Sequence, residues 1–432
     1  MTYEEALQQI HALHRFKKVP GLAHLRKLLH TLGDPQEKLS FVHVAGTNGK
    51  GSTSTMIASI LRKSRYRTGL YVSPFVTDFC ERIQLNNQPI SHRELAQAAE
   101  DVLPVLLQME QNDEDISEFE AVTAIALYWF AQQNCDVVVL EVGLGGRLDA
   151  TNVISAPLCA VITHISYDHT DILGDTLTQI AGEKCGILKE GCEVVTASGQ
   201  DPEALAVIRS TAAEQHCRLT ETDLSQLRVV EETLAGTRMC YKDVLLDMDL
   251  LGAYQVTNAA TALACAEVLR NRKGFTRITN VSCAAGFAAV RMPARFEVLC
   301  KKPLTVIDGA HNPDGARALA ESLRHYLPGK QLIALTGMCA DKDVSHFVHT
   351  LAPLFAEAVV LPLQNPRSMQ PEALTALWQQ ENVTAHLGTY PAQALSLAVQ
   401  LAGQDGAVVV CGSLYLAGEL RPVALEILPM LK

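Results

Sequence analysis

The sequence predicts an α/β protein in which a larger domain with a mainly parallel sheet is followed by a smaller α/β domain. Short apolar strands alternate with helical stretches along the chain, and a glycine-rich turn joins one strand to the next helix. The strand–helix alternation starts afresh near residue 297, and 432 residues are too many for one ordinary hydrophobic core. We therefore expect two domains, residues 1–296 and 297–432.

The elements follow from local patterns. Three β-branched-rich runs are suited to buried parallel strands: 41–45, 136–141 and 158–163. Residues 120–132 carry a helical apolar pattern, and the more polar, alternating stretch 201–249 predicts an antiparallel insertion. The second domain is predicted to contain strands 304–308, 331–336, 358–363 and 407–411 and helices 316–325 and 371–379.

Residues 46–53, Gly-Thr-Asn-Gly-Lys-Gly-Ser-Thr, form the glycine-rich turn. Glycines let backbone N–H groups turn around phosphate oxygens, while a helix N-terminus and Lys50 add positive charge. Ser52 or Thr53 could offer a hydroxyl to Mg²⁺. The spacing departs from the common P-loop pattern, because its first glycine is missing and Gly51 stands between lysine and hydroxyl. The segment predicts a nucleoside triphosphate site; the alternative is a turn that holds no phosphate.

Three further polar residues are candidates for chemistry. Glu141 ends an apolar strand beside the glycine-rich turn, where a Mg²⁺ ligand is expected, although a helix-capping carboxylate is the alternative. His169 is by itself a hydrogen-bonding loop residue, since Mg²⁺ prefers oxygen ligands. Lys184 lies in a helix-like stretch, where lysines are usually solvated.

Composition bounds the function. A formal charge of −11 argues against a nucleic-acid surface, and no apolar run is long enough to span a bilayer. The N-terminus lacks the pattern of a secretion signal, so we expect a cytoplasmic protein. Twelve scattered cysteines without a C-x-x-C pair predict buried thiols and no structural zinc.

Seven segments occur in the order typical of one family. They are 46–52, Ser73-Pro74-Phe75, Glu81-Arg82-Ile83, the stretch 141–152 (Glu-Val-Gly-Leu-Gly-Gly-Arg-Leu-Asp-Ala-Thr-Asn), Asp168-His169, the stretch 183–187 (Glu-Lys-Cys-Gly-Ile) and the stretch 308–313 (Asp-Gly-Ala-His-Asn-Pro). Together they resemble the Mur ligase superfamily, in its folylpolyglutamate and dihydrofolate synthase branch. The resemblance covers nearly the whole chain and implies a Mur-ligase-like central domain with a Rossmann-like C-terminal domain.

The resemblance also implies ligands and roles. The family binds Mg²⁺ through a serine, a glutamate and a histidine, which match Ser73, Glu141 and His169. The lysine matching Lys184 is carbamylated in related ligases. ATP is expected to contact residues of both domains: Gly49, Lys50, Gly51, Ser52, Asn258, Arg295 and Asp308. An interdomain salt bridge is the alternative role for Arg295. Lys50, Lys184 and His311 are the predicted catalytic residues.

On the folate side, the resemblance points to two segments. These are residues 117–120 (Ser117, Glu118, Phe119 and Glu120) and residues 148–150 (Leu148, Asp149 and Ala150). Phe119 offers a flat face to a pterin, and carboxylates accept hydrogen bonds from ring N–H groups. Phe119 could equally be a core residue at a helix start. The early loop 19–22 is a further candidate for this pocket.

The sequence thus predicts an ATP-dependent ligase that joins L-glutamate to the γ-carboxylate of a reduced folate through an acyl phosphate, as a monomer. Three alternatives stay open. The first is dihydrofolate synthase activity, in which glutamate is joined to dihydropteroate. The second is a cell-wall Mur ligase, although the N-terminal domain expected of that group is missing. The third is an ATP-binding regulator without ligase activity.

Overall fold

The computed structural model describes residues 1–14, 21–242 and 244–430. Within these residues, the strands form three sheets of eight, three and six strands. The strands of the largest sheet are β1 (Phe41–Ala45), β2 (Thr68–Tyr71), β3 (Ile83–Leu85), β4 (Gln88–Pro89), β5 (Val137–Glu141), β6 (Cys159–Ile162), β7 (Glu193–Thr196) and β8 (Arg218–Glu221). Their order is β4-β3-β2-β5-β1-β6-β7-β8, and pairing is parallel from β2 to β8. The mainly parallel sheet is therefore confirmed, with the strand before the glycine-rich turn at its centre.

Helices cover both faces of this sheet. They are α1 (Tyr3–Ala12), α2 (Ala23–Thr31), α3 (Lys50–Lys63), α4 (His92–Glu110), α5 (Glu118–Gln132), α6 (Thr170–Leu173), α7 (Leu177–Cys185), α8 (Pro202–Glu214), α9 (Ala253–Arg272) and α10 (Asn280–Ala289). Because side chains of a strand alternate between faces, Phe41 packs into the core under α1, α2, α4 and α5, whereas Val42 and Val44 pack against α3 and α9. Every residue of β1 and β5 is buried, as expected for central parallel strands.

The three-stranded sheet is antiparallel and consists of β9 (Leu227–Thr233), β10 (Gly236–Tyr241) and β11 (Val244–Met248). Its buried side packs on α9 and α10 through Met239 and Leu246. The antiparallel insertion predicted for 201–249 is therefore wrong in its first part. Residues 202–214 form a helix, and β8 pairs in parallel with β7 at the end of the large sheet.

The six-stranded sheet begins at residue 297. Its strands are β12 (Glu297–Lys301), β13 (Leu304–Ile307), β14 (Leu332–Thr336), β15 (Glu357–Val360), β16 (Thr384–Leu387) and β17 (Ala407–Cys411). Its helices are α11 (Pro313–Tyr326), α12 (Val344–Leu351), α13 (Pro371–Gln380), α14 (Pro391–Ala402) and α15 (Leu414–Ile427). The order is β12-β13-β17-β14-β15-β16, and only β12 pairs antiparallel. The predicted second α/β unit is confirmed, with β12 and β16 added.

Short 3₁₀ helices complete the chain: Pro35–Lys38, Phe79–Arg82, Ala150–Val153, Leu224–Gln226, Ala352–Leu354 and Leu428–Met430. Among the residues that the structure describes, no helix combines the length and the apolar character needed to cross a membrane. The loops that follow β1 and β6 meet the loop that follows β13, since Asn48 hydrogen-bonds to Asp314 and Asp168 to Asn312. A cleft between the two parallel sheets is thereby formed at their carboxyl ends, where ligands of α/β proteins bind.

Candidate active site

The glycine-rich turn lies between β1 and α3. Gly49 caps α3 in a left-handed conformation with φ of +84°, and no side chain caps this helix end. A Cβ at Gly49 would overlap the amide oxygen of Asn258, and one at Gly46 would overlap the Thr163 hydroxyl. Ser52 and Thr53 are buried in the first turn of α3. The first N–H groups of α3 are left for an anion, as a phosphate site requires.

Two lysines meet at this turn. Lys50 Nζ donates to the carbonyl oxygens of Gly46 and Thr47 at 3.1 and 3.0 Å. Lys184 Nζ, from the last turn of α7, donates to the same Gly46 oxygen at 2.9 Å. Burial, together with the Lys50 charge, lowers the pKa of Lys184 to about 7. Lys184 is 4% exposed, so the interpretation of a solvated helix-face lysine is wrong.

Glu141 stands at the end of β5, next to this turn. Its Oε2 accepts a hydrogen bond from the Ser73 backbone N–H at 3.0 Å, and it would lie 3.4 Å from a Cβ at Gly51. Burial raises the pKa of Glu141 to about 7, against the opposing charge of Lys50. The carboxylate caps no helix that the structure describes, since β5 is followed by a turn. A cation would therefore stabilise its charged form.

His169 lies at the start of α6 with φ of +51°. Its Nε2 is 3.9 Å from Asp168 Oδ1, so its observed partner is its neighbour in the chain. Burial and the charges of Lys342 and other lysines lower the pKa of His169, which leaves the ring neutral and able to act as a ligand. The structure brings the Ser73 backbone N–H and the Glu141 carboxylate into contact. Among the described residues, it shows no hydrogen bond from His169 to either of them.

Asp168 links the two sides of the cleft. Its Oδ2 accepts a hydrogen bond from the Asn312 amide at 3.0 Å, and its Oδ1 lies 3.4 Å from Lys342 Nζ. Burial acts in the opposite direction, but the charges of Lys342 and of nearby histidines lower the pKa of Asp168 to about 2. This carboxylate is thus ionised and paired with a cation of the second α/β unit.

A second link was not foreseen from the sequence. The Asn48 amide, in the glycine-rich turn, donates to Asp314 Oδ2 at 2.5 Å, and the Ser166 hydroxyl donates to the same oxygen at 3.2 Å. Asp314 lies in the first turn of α11. Residues 266 positions apart cannot be paired from local pattern, and the acidic first turn of a helix is by itself a common stabilising feature.

Asp308 holds together two loops at the start of the second α/β unit. Its carboxylate accepts hydrogen bonds from the backbone N–H groups of Phe296 and Ala310 at 2.7 and 2.8 Å. Burial raises its pKa, and the Arg295 charge acts against this. A Cβ at Gly309 would lie 2.8 Å from Arg295 Nη1, so the guanidinium passes close to this loop. Asp308 therefore fixes the position of the segment that carries Arg295.

His311 is half-buried in the same loop. Its Nδ1 lies 2.8 Å from the Gly309 carbonyl oxygen, which can only accept, so Nδ1 carries the proton and Nε2 has the free lone pair. Burial and the charge of Lys342 lower the pKa of His311 to about 4. A neutral imidazole therefore faces the cleft at neutral pH.

A cavity of about 560 Å³ opens beside Arg295, lined also by Leu250, Leu251, Met292 and Phe296. The Met292 methyl group would lie 3.6 Å from a Cβ at Gly51, which connects this cavity with the glycine-rich turn. Charged side chains, among them Arg291 and Lys301, complete the lining. Apolar surface next to a phosphate site is suited to a flat heterocycle.

The predicted folate-side segments form structured turns. Ser117 caps α5, and Glu120 Oε2 accepts hydrogen bonds from the Ser117 N–H and hydroxyl at 3.0 and 2.9 Å. Glu118 Oε1 lies 3.2 Å from His11 Nδ1. The Phe119 ring is partly buried against the core, and it packs so closely that a Cβ at Gly143 would lie 2.5 Å from its Cζ. Phe119 is thus a wall residue between the glycine-rich stretch after β5 and solvent.

The second folate-side segment is more varied. Leu148 is 45% exposed, whereas Asp149 and Ala150 are buried. Asp149 accepts hydrogen bonds from the Leu144 and Thr151 backbone N–H groups at 2.8 and 3.0 Å, and burial raises its pKa. The Asp149 carboxylate therefore stabilises the conformation of the loop that contains it. Residues 19 and 20 of the early loop 19–22 lie outside the described residues.

Comparisons with known proteins agree with this geometry. Residues 44–266 match the Mur ligase middle domain, and residues 294–414 match the Mur ligase glutamate ligase domain. The folylpolyglutamate synthase of Lacticaseibacillus casei is 36% identical over 98% of this chain and 99% of its own length. The chain belongs to the folylpolyglutamate and dihydrofolate synthase family of Mur ligases.

Other members of this Mur ligase family match over the full chain. The Bacillus subtilis dihydrofolate synthase/folylpolyglutamate synthase is 34% identical over 97% of this chain and 98% of its own. The structure of Mycobacterium tuberculosis folylpolyglutamate synthase complexed with ADP superimposes with a TM-score of 0.89 at 31% identity, covering 98% of both chains. The predicted family and fold class are confirmed.

Proposed function

We propose that the chain is an ATP-dependent ligase that adds L-glutamate to the γ-carboxylate of reduced folates. One observation carries this proposal: Lys50 starts α3, whose N-terminus no side chain caps, in a glycine-rich turn beside the buried carboxylate of Glu141. A lysine and uncapped backbone N–H groups at the start of a helix are suited to a triphosphate. Family membership supplies the class of reaction.

The nucleotide would lie across the cleft. Gly49, Lys50, Gly51 and Ser52 would surround the phosphates from one side, and Arg295 would reach them from the other. A guanidinium is always charged and binds phosphate through two N–H groups. The cavity beside Met292 and Phe296 would take the adenine, with Asn258 adjoining the turn through Gly49. Asp308 would act by holding the Arg295 segment, since its carboxylate is occupied by backbone N–H groups.

The environment of Glu141 suits a Mg²⁺ ion. Glu141 is a buried carboxylate with one observed hydrogen-bond donor and a raised pKa, an environment that a cation would stabilise. We propose that Glu141, the Ser73 hydroxyl and His169 hold it. Mg²⁺ would supply charge neutralisation of the triphosphate during phosphoryl transfer.

The reaction has two steps. A folate carboxylate oxygen attacks the γ-phosphorus of ATP, and the bond from this phosphorus to the β,γ-bridging oxygen breaks. ADP departs, and the folate now carries an acyl phosphate. The neutral amine of glutamate then attacks the acyl carbon, an amide C–N bond forms, and inorganic phosphate leaves while the nitrogen releases one proton to solvent. Lys50 and Arg295 would hold the phosphates in line, because such transfer depends mostly on alignment and charge. His311 Nε2 would accept a hydrogen bond from the amine, since its lone pair is free.

Lys184 is proposed to be carbamylated. The neutral amine attacks CO₂, a C–N bond forms, and one proton is released as the carbamate appears. A pKa near 7 favours this reaction, because a large share of the side chain is then neutral at physiological pH. The product is an anion beside Lys50, which replaces repulsion between two cations by attraction.

The folate pterin is proposed to bind against Phe119, which is partly buried, and Leu148, which is exposed; they are the large hydrophobic residues of the two predicted segments. Glu118 would remain a hydrogen-bond acceptor at the rim. Ser117, Glu120, Asp149 and Ala150 would instead hold the two loops in shape, because their groups are engaged in capping or are buried.

L-Glutamate requires cations near the acyl carbon. Lys342 follows β14 and contacts Asp168, and Arg367 lies near by, bonded to Asp341 and to the Tyr415 hydroxyl at 3.0 and 2.7 Å. These side chains lie at the carboxyl end of the second parallel sheet. We propose that they receive the two carboxylates of the incoming glutamate.

A second candidate is dihydrofolate synthase activity, which the name of the Bacillus subtilis relative includes. Purified protein with ATP, Mg²⁺ and L-glutamate is offered tetrahydrofolate or dihydropteroate in separate reactions, and ADP and the added glutamate are measured. ADP release with tetrahydrofolate supports the proposal. ADP release with dihydropteroate alone favours dihydrofolate synthase activity. If ADP release is absent with both substrates, or does not depend on glutamate, the alternative of an ATP-binding regulator is favoured.

The wider setting is also a proposal. We propose the domain limits 1–296 and 297–432, since β12 opens the second parallel sheet at Glu297. We propose a monomer acting in the cytoplasm, where ATP is available as a co-substrate. Light scattering on the purified chain, with and without nucleotide, tests the oligomeric state.

A further inference from the structure

Three side chains of metal-binding type meet away from the nucleotide cleft. Asp78 and Cys80 belong to the short 3₁₀ turn at Phe79–Arg82, and His92 is the first residue of α4. A carboxylate oxygen of Asp78, the Sγ of Cys80 and a ring nitrogen of His92 all lie within 4.8 Å of one another. The sequence predicted no zinc because these residues form no closely spaced cysteine–histidine motif; the fold brings them together.

We propose that Asp78, Cys80 and His92 bind one zinc ion, with water as the fourth ligand. A thiolate, an imidazole and a carboxylate form a donor set that suits zinc and not Mg²⁺, which prefers oxygen alone. Bonds of about 2.0–2.3 Å in a tetrahedron place ligand atoms roughly 3.3–3.8 Å apart. A small inward movement of the three side chains would therefore bring the ligand atoms from their present spacing to the tetrahedral one. The Cys80 thiol would release its proton to solvent.

Contacts outside the cluster hold the ligands in position. The His92 ring stacks on the Tyr3 ring at a centroid distance of 3.8 Å and an interplanar angle of 3°. Its Nε2 lies 3.0 Å from Asp78 Oδ2, so this nitrogen points into the cluster. Asp78 Oδ1 accepts a hydrogen bond from the Cys80 N–H at 2.7 Å, which fixes the two loop ligands relative to each other. Such supporting contacts are typical of metal sites.

The cluster is open on one side. The side chains of Asp78 and His92 are 44% and 55% exposed, whereas Cys80 is buried beneath them. An ion arriving from solvent would first meet the two exposed ligands and then the thiol. The exposed side leaves room for the water ligand.

Zinc at this position would restrict the motion of a loop that borders the cleft. The loop 73–82 starts at Ser73, whose N–H bonds to Glu141, and its Val76 carbonyl packs directly against Gly418 of α15. Asp78 and Cys80 lie in this loop, and His92 lies in α4. The ion would therefore tie the loop to α4 and reduce its motion next to both α/β units.

The test uses the full-length protein after chelator treatment, with saturating Mg²⁺ present and any affinity tag removed. Co²⁺ serves as a spectroscopic probe, and Zn²⁺ affinity is measured by competition with a chromophoric chelator. We expect one bound ion, visible d–d bands of tetrahedral Co²⁺ and a thiolate-to-cobalt charge-transfer band. Zn²⁺ should displace Co²⁺ and slow amide hydrogen exchange in residues 73–82.

Variants separate this site from other zinc-binding groups. Cys80→Ser should abolish the charge-transfer band, and His92→Gln and Asp78→Asn should each weaken Zn²⁺ binding at least tenfold. Cys135→Ser and His30→Gln, a buried cysteine and an exposed histidine elsewhere in the chain, serve as controls and should bind as the parent does. The surface variants His92→Gln and Asp78→Asn keep the test valid if Cys80→Ser does not fold. Absence of the band in the parent, or equal affinity in parent and ligand variants, overturns the proposal.

Discussion

Lys50 and Lys184 donate hydrogen bonds to the same acceptor, the backbone carbonyl oxygen of Gly46, at 3.1 and 2.9 Å. Two ammonium groups on one oxygen repel each other, and this repulsion adds to burial in lowering the pKa of Lys184. An anion between them would relieve the repulsion. Binding of a phosphate, or carbamylation of Lys184, would therefore stabilise this arrangement.

Lys50→Ala should abolish turnover far more than it unfolds the protein, because its two hydrogen bonds among the described residues go to carbonyls of its own loop. Losing one such charge from a phosphoryl-transfer site costs roughly 3–5 kcal/mol of transition-state stabilisation, or about 10²–10⁴ in kcat. ADP release and thermal unfolding are measured on the same preparation. Lys63→Ala, at the far end of α3, is the control. Near-normal kcat for Lys50→Ala contradicts the role.

Glu141→Gln should change how stability depends on pH in metal-free protein. The pKa of Glu141 is raised from 4.5 to about 7, so the folded state binds more protons than the unfolded state between these values. Its favourable contribution is complete below pH 4.5 and is lost as pH rises through 7. The wild type should therefore lose up to about 3 kcal/mol relative to Glu141→Gln across this range.

Mg²⁺ provides the check on this carboxylate. It should restore the stability of the wild type at pH 8 and leave Glu141→Gln unchanged, because the amide has the shape but not the charge. Denaturant unfolding at pH 5 and pH 8, with and without Mg²⁺, measures both effects. If the free energies of unfolding of the two proteins change with pH in parallel, or respond equally to Mg²⁺, the metal does not bind at Glu141.

Carbamylation of Lys184 should increase as pH rises through about 7, because only the neutral amine attacks CO₂. Isotope-labelled CO₂ followed by carbon NMR or native mass spectrometry should show one carbamate per chain. Lys184→Gln should lack it, while Lys189→Gln, a less buried lysine near by, should retain it. A wild type without a carbamate at pH 8 under CO₂ would show that Lys184 acts as an amine.

Arg295→Ala should leave nucleotide binding at the glycine-rich turn partly intact while greatly slowing catalysis. The two α/β units already touch through Asn48 and Asp314, and ATP would add a contact from Arg295 that exists only in the closed arrangement. Losing it should reduce the preference of ATP for closure by roughly 1.5–3 kcal/mol. Small-angle scattering with a non-hydrolysable ATP analogue measures the compaction. Arg209→Ala, an exposed arginine paired with Glu221 away from this cavity, is the control. Equal compaction in the wild type and Arg295→Ala would rule out this coupling.

Phe119→Ala should raise the KM for the folate substrate about 5–30-fold and change kcat less, because a wall contact of roughly 1–2 kcal/mol is lost. Gly143→Ala should have a similar effect for a different reason. Its new methyl group would enter the space of the Phe119 ring and displace it from the pocket. The KM for ATP should stay unchanged in both variants. A loss of stability without a change in folate KM would assign Phe119 to the core.

The sequence predicted the parallel strands closely. The run 41–45 is β1 at its full length, and 136–141 differs from β5 by one residue, because central parallel strands are buried on both faces and read as unbroken apolar runs. It failed at 201–221. There a helix with few buried residues is followed by an edge strand with exposed side chains. Their combined sequence pattern resembles that of an antiparallel pair, since an edge strand has no continuous run of apolar residues.

The sequence by itself determined the glycine-rich turn and the helix that follows it, because glycine spacing and a lysine at a helix start act over a few residues and depend on nothing distant. It also determined the position of Glu141, which ends a buried strand. Only the tertiary structure decided which partners these groups meet: Lys184 on the Gly46 carbonyl, Asp314 on Asn48, and His92 beside Cys80. Hydrogen bonding and electrostatics depend on distance in space, and the packing of helices on the two sheets sets that distance.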